Sequence, residues 1–381
     1  MSDGGNPGLT DEQCSEALEA KTKFKTATEA AESLGLTRGS FHNRLRRGAQ
    51  RGLDGSVPEK MPAGFIVKGI STLYDDDGAP RAQWVKASAE DLRRDVVEHI
   101  TSAFDDYKGH AKLPPAPKHS DKSLLTVYPI ADHHLGLYAW AKETGTDYDL
   151  DIATRLLRDT MASLVSQSQP SEVGVILNLG DFFHTDDSNN QTSRSGNALD
   201  VDTRYAKVLQ TGVELIIDCI ELALQKHKKV IVRCLPGNHD DHSALALSVA
   251  LAAFFNKNKR VDVDTDPSLF WWHEHGSVLL GATHGHMAKA KDMGGVMAER
   301  CAPAWGRTRH RYIYTGHIHH QTRLEVHGAV CESFQTLAAK DAWTAQMGFT
   351  SGRSMCAITH HIDRGECERR TVNVPNMPIG A

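Results

Sequence analysis

The stretch VGVILNLGD, Val173–Asp181, decides how this sequence is read. Its first seven residues form an apolar β-run, and the run stops at a glycine and a carboxylate. Four other runs have the same form. LLTVYPIA (Leu124–Ala131) leads to Asp132, His133 and His134. KVIVRCL (Lys229–Leu235) leads through Pro236 to Gly237, Asn238, His239, Asp240, Asp241 and His242. SVLLGAT (Ser277–Thr283) leads to His284, Gly285 and His286. RYIYT (Arg311–Thr315) leads to Gly316, His317, Ile318, His319 and His320. Long helical stretches lie between them, including IATRLLRDTMASLVSQ and TRYAKVLQTGVELIIDCIELALQK. Runs of this kind alternating with helices predict a layered α/β domain.

In open α/β sheets, ligands bind at the carboxyl ends of the strands. Five strand ends are therefore expected to converge on one crevice, each bringing oxygen or imidazole donors. A mix of Asp, Asn and His without Cys suits Mn²⁺, Fe or Zn²⁺ better than a thiolate site does. The donors suffice for two ions, and two ions about 3.5–4 Å apart can clamp a phosphoryl group and activate a water. Residues two apart in an extended segment point the same way. On that argument His317 and His319 face the crevice and His320 points elsewhere; Asp132 and His134 share a side and His133 turns away. Gly180, Gly237 and Gly316 also fit ordinary turns.

These five clusters, in this order, resemble the ordered motifs of calcineurin-like metallophosphoesterases over about residues 124–330. The resemblance implies a β-sandwich flanked by helices with a two-metal centre at one edge. It implies that Asp132, His134 and His319 hold one ion, that Asn238, His284 and His317 hold the other, and that Asp181 bridges them. His239 would stabilise the transition state and protonate the leaving oxygen after attack by a metal-bridging water, with Asp240 orienting it. Mn²⁺ is the first choice of metal, with Fe, Zn²⁺ and Mg²⁺ as alternatives. The Asp132–Gly136 and Gly237–Asp240 motifs look most like the DNA-repair exonuclease branch. No Asp-Arg-Gly follows Gly180-Asp181, which disfavours the protein-phosphatase branch. His184 and His286 are candidate substrate contacts. So are Arg194 and Arg204 of the polar insert Thr185–Arg204, which is expected to border the groove.

The chain has 381 residues, enough for one large domain and a smaller one. The net charge of −5 excludes a uniformly basic nucleic-acid coat but not a local basic patch. Seven scattered cysteines with no CxxC pair argue against a disulfide framework and fit a reducing, cytoplasmic setting. The most apolar stretch, ALALSVALAAFF (Ala244–Phe255), is too short to span a bilayer and reads as a buried helix.

KLPPAPKHSDKS, residues 112–123, reads as a linker. It precedes a metallophosphoesterase domain expected over 124–381. C-terminal runs RLEVHGAV, SMCAITHHI and ERRTVNV could extend a second sheet. Residues 1–55 read as a helix-turn-helix. Ala30, Ala31 and Leu34 face inward from the first helix, Gly35 makes the turn, and Thr37 caps a second helix with Phe41 and Leu45 inward. Arg38, Arg44, Arg46, Arg47 and Arg51 of that second helix are candidate DNA contacts. LGLTRGSFHNRL is similar to the helix-turn-helix of Fis-type DNA-binding proteins. Residues 56–111 read as a β-hairpin and an amphipathic helix. The whole combination resembles proteins of tailed bacteriophages, which would place it in host cytoplasm. The leading expectation is a metal-dependent DNA phosphodiesterase. The alternatives are a hydrolase of small phosphodiesters or cyclic nucleotides, and an inactive DNA-binding regulator. DNA is the expected partner, no membrane is, and a homo-oligomer is left open.

Overall fold

A computed structural model describes residues 10–24, 26–50, 53, 66–74, 80–88, 114–192, 195–348 and 350–374. The chain divides into two compact units, residues 1–98 and 99–381. The amphipathic helix expected before residue 111 lies outside the described residues.

The first unit holds helices α1 (Asp11–Lys23), α2 (Ala27–Ser33) and α3 (Arg38–Gln50). The sequence reading missed α1. Its inward residues, Cys14, Ala17 and Ala20, are small and give a faint periodic signal. Thr10 and Thr26 open α1 and α2 with reciprocal capping boxes to Gln13 and Glu29. Gly35 takes φ +66° in the turn, and Thr37 Oγ1 accepts from the Ser40 N–H at 3.1 Å. Phe41 is fully buried against Ala30 and Ala31, with Leu34 and Leu45 alongside. The expected hairpin is present as antiparallel strands β1 (Ile66–Tyr74) and β2 (Pro80–Ser88).

In the second unit a six-stranded sheet has the order β13-β12-β3-β4-β5-β6. Its strands are β3 (Asp121–Ile130), β4 (Ser171–Asn178), β5 (Lys229–Cys234), β6 (Val261–Asp264), β12 (Ser354–His361) and β13 (Gly365–Asn373). Strands β3 to β6 run parallel; β12 and β13 are antiparallel additions. A five-stranded sheet has the order β10-β11-β9-β8-β7. It comprises β7 (Trp271–His275), β8 (Val278–Ala282), β9 (His310–Thr315), β10 (Thr322–Val326) and β11 (Ala329–Ser333). Of the C-terminal strands, then, only β10 and β11 join the second sheet. The other pair extends the first. The expected linker is also shorter than its sequence implied. Strand β3 already begins at Asp121, and the Arg260 guanidinium donates to the Pro114 carbonyl at 2.6 Å.

Strands β3, β4 and β5 are buried on both faces, so alternate residues feed two cores. Leu125, Val127, Val175, Leu177 and Ile231 pack against Val278, Leu280, Tyr312 and Tyr314 of the second sheet. Tyr128, Ile130, Ile176, Val230 and Val232 face helices α5 (Leu150–Gln167), α6 (Tyr205–Lys226) and α7 (Ser243–Phe255), which follow the short α4 (Ala141–Thr144). Helix α7 is the expected buried helix. Helices α8 (Met293–Arg300) and α9 (Ala302–Arg307) cover the outer face of the second sheet through Met293, Met297 and Trp305. Helix α10 (Ala342–Gln346) lies between β11 and β12. The second unit is thus a mixed α/β domain whose two sheets pack face to face between helices. Among the described residues no helix is long and apolar enough to cross a membrane.

One buried polar cluster makes stability depend on pH. His227 sits between the Tyr128 hydroxyl at 2.8 Å and the Ser171 hydroxyl at 2.9 Å. Gly174 leaves room for it, since a Cβ there would lie 2.5 Å from the ring. Burial pulls His227 down to about 4, below the ordinary value of about 6.5. The unfolded chain binds the proton first, so stability contributed by neutral His227 is complete above pH 6.5 and is lost as pH falls toward 4. About 3 kcal/mol is at stake. Urea midpoints of metal-free protein should fall over this window, and His227→Phe should lower stability at pH 7 yet flatten the slope. An unchanged slope in the variant would refute the assignment.

Candidate metal centre

The parallel strands of both sheets end at one edge of the domain, and all seven expected ligands lie there. Asp132 and His134 follow β3, Asp181 follows β4, Asn238 follows β5, His284 follows β8, and His317 and His319 follow β9. Donor atoms of Asp132, His134 and His319 lie within 4.8 Å of one another, as do those of Asp181, His284 and His317. His134 Nε2 and His319 Nε2 are 3.2 Å apart, about the separation of two nitrogens sharing one ion. His284 Nε2 stands 3.2 Å from an Asp181 oxygen and 3.1 Å from Asn238 Oδ1.

The side chains converge for a different reason from the one the sequence suggested. The ligand segments are not extended. Asp132, His134, Asp181, His317 and His319 have φ between +48° and +70°, in the left-handed region. Only two other non-glycine residues among those described, Asn190 and His327, do so. Left-handed backbone is costly for a residue with a Cβ and gathers at functional sites. Here hydrogen bonds between loops hold it. Asp132 N–H donates to the Gly180 carbonyl and His134 N–H to the Asp181 carbonyl at 3.0 Å. The Tyr148 hydroxyl donates to the His133 carbonyl at 2.8 Å, and the Thr336 hydroxyl to the Asp132 carbonyl.

Two of the glycines are close-approach residues rather than simple turn formers. A Cβ on Gly237 would lie 2.0 Å from Asp181 Oδ1, and one on Gly316 would lie 2.5 Å from Asp132 Oδ2. Either would displace a carboxylate.

Asp240 has a different task from orienting His239. Oδ1 accepts from the Asp181 and Gly237 N–H groups at 3.0 and 2.9 Å, and Oδ2 from Phe182 and Phe183 at 2.8 and 3.2 Å. It joins two ligand loops and is fully buried. Burial, then the Asp181 carboxylate, push it up to about 7, against the pull of the amides. His239 is oriented instead by His184. Its Nδ1 lies 2.9 Å from the His184 carbonyl, which can only accept, and the two rings stack at 5.5 Å. His184 is itself buried, its ring stacked on His239 and its Nδ1 3.3 Å from His134 Nδ1, so it is not at the surface. His133 is buried against Phe182, remote from the rim, whereas His320 is exposed and turned to the Ile318 carbonyl. His286 lies beside the second triad, its ring 5.2 Å from that of His284.

The donor set fits divalent cations. Asp132 and Asp181 are buried carboxylates that require a counter-charge. Burial alone would lower His284, but Asp181 and then Asp132 hold its proton on, up to about 10. Burial alone would raise Asp181, but His284 holds it well below the carboxylate range. Burial, then His239 and His319, keep His134 neutral, the form that ligates. His284 Nδ1 lies 2.9 Å from the Leu179 carbonyl, which aims Nε2 at Asp181 and Asn238.

The polar insert folds back beside this edge. Asp200 accepts from Tyr138 N–H, Gly136 from Asp202 N–H, and the Asp186 carboxylate takes the Ser243 N–H at 2.7 Å at the start of α7. Arg204 stands exposed at the head of α6, with no contact tying it to the ligands among the described residues. Arg194 lies outside the described residues.

No protein-family model matches the sequence, and no curated protein is similar to it. Solved structures with partial likeness include Vps29 of Chaetomium thermophilum, at 12% identity over 66% of this chain and 100% of that one, with a TM-score of 0.30. A Streptococcus pneumoniae protein described as a predicted phosphoesterase has 9% identity over 67% and 100%, with a TM-score of 0.27. PhoD has 9% identity over 69% and 72%, with a TM-score of 0.32. Likeness at this level leaves activity to be argued from the site itself.

The divided histidines give a direct test. His320→Ala should bind as many Mn²⁺ ions in equilibrium dialysis as the unaltered chain. His317→Ala, His319→Ala and Gly237→Ala should each bind fewer, with circular dichroism unchanged. Full metal content in all of them would remove the site.

Proposed function

We propose that this protein is a two-metal phosphodiesterase that cleaves DNA. The observation that carries the reading is the pair of Asp/His triads where the strands of the two sheets end, with the His239 N–H bonded to Asp181 of the second triad. Oxygen and nitrogen donors without thiolate favour Mn²⁺, with Fe, Zn²⁺ and Mg²⁺ as alternatives. Two such ions supply Lewis acidity toward the phosphoryl oxygens and lower the pKa of an attacking water.

The chain's own residues do the rest. Asp181 Oδ1 accepts from the His239 N–H at 2.8 Å, so the carboxylate expected to bridge the ions also fixes the His239 backbone. Because His239 Nδ1–H donates to the His184 carbonyl, Nε2 is the nitrogen that can give a proton to a leaving alkoxide. Asp240 keeps the two loops in register while this happens.

The first unit supports DNA as substrate. Arg38, His42 and Arg46 follow one another at four-residue intervals along an exposed stripe of α3, the spacing of one helix face. Such a stripe can lie along phosphates or in a groove. Arg44 does not belong to it. Its side chain pairs with Glu16 of α1 at 3.8 Å and is largely covered. Arg47 lies off the stripe, and Arg51 lies outside the described residues.

With Mn²⁺, the protein should hydrolyse linear duplex or single-stranded DNA, and Asp181→Asn should lower the rate by at least about a hundredfold. Hydrolysis of only a small chromogenic diester would favour the small-substrate reading; no metal uptake and no hydrolysis would favour an inactive regulator. Arg38→Ala with Arg46→Ala should weaken DNA binding and reduce its salt slope by about 2. An unchanged slope would exclude this face of α3.

A further inference from the structure

The segment leaving the first ligand motif runs Leu135-Gly136-Leu137-Tyr138-Ala139-Trp140. Leu137 and Ala139 turn inward, 2% and 4% exposed, and are bridged to Val201 and Tyr148. Tyr138 and Trp140 turn outward, 47% and 49% exposed. The far end is fixed too, since the Asp147 carboxylate accepts from Ala141 N–H at 2.6 Å. Residues two apart in extended chain lie about 6.8 Å apart on the same side. Bases in DNA stack at about 3.4 Å. Aromatic side chains carried at that backbone spacing can take one base between them with a ring on each face. Lys142 Nζ lies over the Trp140 ring, 5.4 Å from its centroid, and puts a positive charge beside the pair.

The position of this pair matters as much as its spacing. Seven large hydrophobic residues are exposed among those described, and four of them, Tyr138, Trp140, Met287 and Ile318, stand on loops that carry ligands or their neighbours. Exposed large apolar side chains therefore recur on the segments that carry the candidate ligands. A closed duplex hides its base faces within the stack; a single strand or a frayed end offers them.

We propose that Tyr138 and Trp140 form a slot that stacks one unpaired base, so that the site takes single-stranded or end-frayed DNA in preference to closed duplex. This rests on the phosphodiesterase reading above and names its substrate class. The slot is a specificity element: its residues touch the base, not the reacting phosphate.

The test uses the full chain and the variants Tyr138→Ala, Trp140→Ala and Trp140→Phe. KM for a single-stranded oligonucleotide should rise roughly tenfold in each alanine variant, and Trp140→Phe should restore most of it. Hydrolysis of a small chromogenic diester should not change. Oligothymidylate added without metal should quench tryptophan fluorescence, and Trp140→Ala should lose that quench. Unchanged KM and quench in both alanine variants would overturn the slot. So would a change of oligomeric state on size-exclusion in place of a change in oligonucleotide affinity, since the face would then be a protein contact. If the unaltered chain cleaves only the small diester, the nuclease reading fails, and the quench alone decides the slot: its presence upholds base stacking and its absence ends it.

Discussion

One buried carboxylate ties together two of the loops at the candidate metal edge. Asp240 takes four backbone N–H groups, one from Gly237 and three from Asp181, Phe182 and Phe183. A buried carboxylate is expensive to desolvate, and four charge-assisted hydrogen bonds offset that cost. In return, the loop after β5 is locked to the loop after β4. Asp181 and Asn238 therefore meet at a fixed distance, although they belong to different strands.

That lock is one of several cross-loop ties around the five candidate ligands in left-handed backbone; the Asp132 and His134 amides donate to the Gly180 and Asp181 carbonyls, and the His317 amide to the Asp132 carboxylate. Each such residue stores about 1–3 kcal/mol of strain that it would shed if free to relax. The loops cannot relax one at a time, because their amides and carbonyls are committed to one another. The bare faces of Gly237 and Gly316 belong to the same arrangement, since they let the backbone come against the Asp181 and Asp132 carboxylates. The outcome is a site whose donors are positioned before any ion arrives, which removes most of the ordering cost from binding.

Much of this was legible in the residues, for a physical reason. Apolar runs that end in Asp, Asn or His name both the strand and the candidate donor it delivers, so Asp132, His134, Asp181, Asn238, His284, His317 and His319 could be picked out as residues that gather at one edge. How they converge could not be. Period-two alternation sorted His317 and His319 from His320, yet these residues are in left-handed turns, and no side-chain pattern encodes φ. Asp240 was misread because its sequence neighbour is His239, while its partners are amides that lie elsewhere. His184 was a candidate substrate contact from its place three residues past Asp181, but burial depends on the fold, not on distance along the chain. Small inward residues concealed α1. The pairing of β12 with β3 joins residues more than two hundred positions apart, and local pattern says nothing about that.

The double burial of β3, β4 and β5 has one more consequence. A strand with one wet face is held in register by its own alternation, because a slip of one residue turns apolar side chains toward water. These three strands have less of that safeguard: apart from Thr126 and Arg233 the buried residues on both faces are largely apolar, and a slipped strand would still bury apolar side chains. What a slip would ruin is at the ends and at the internal notch. Asp240 would miss its amides, and the ring of His227 would meet a side chain in place of Gly174. A polar residue that orders the candidate site and one buried elsewhere in the sheet thus both specify an alignment that apolar packing alone specifies less strictly.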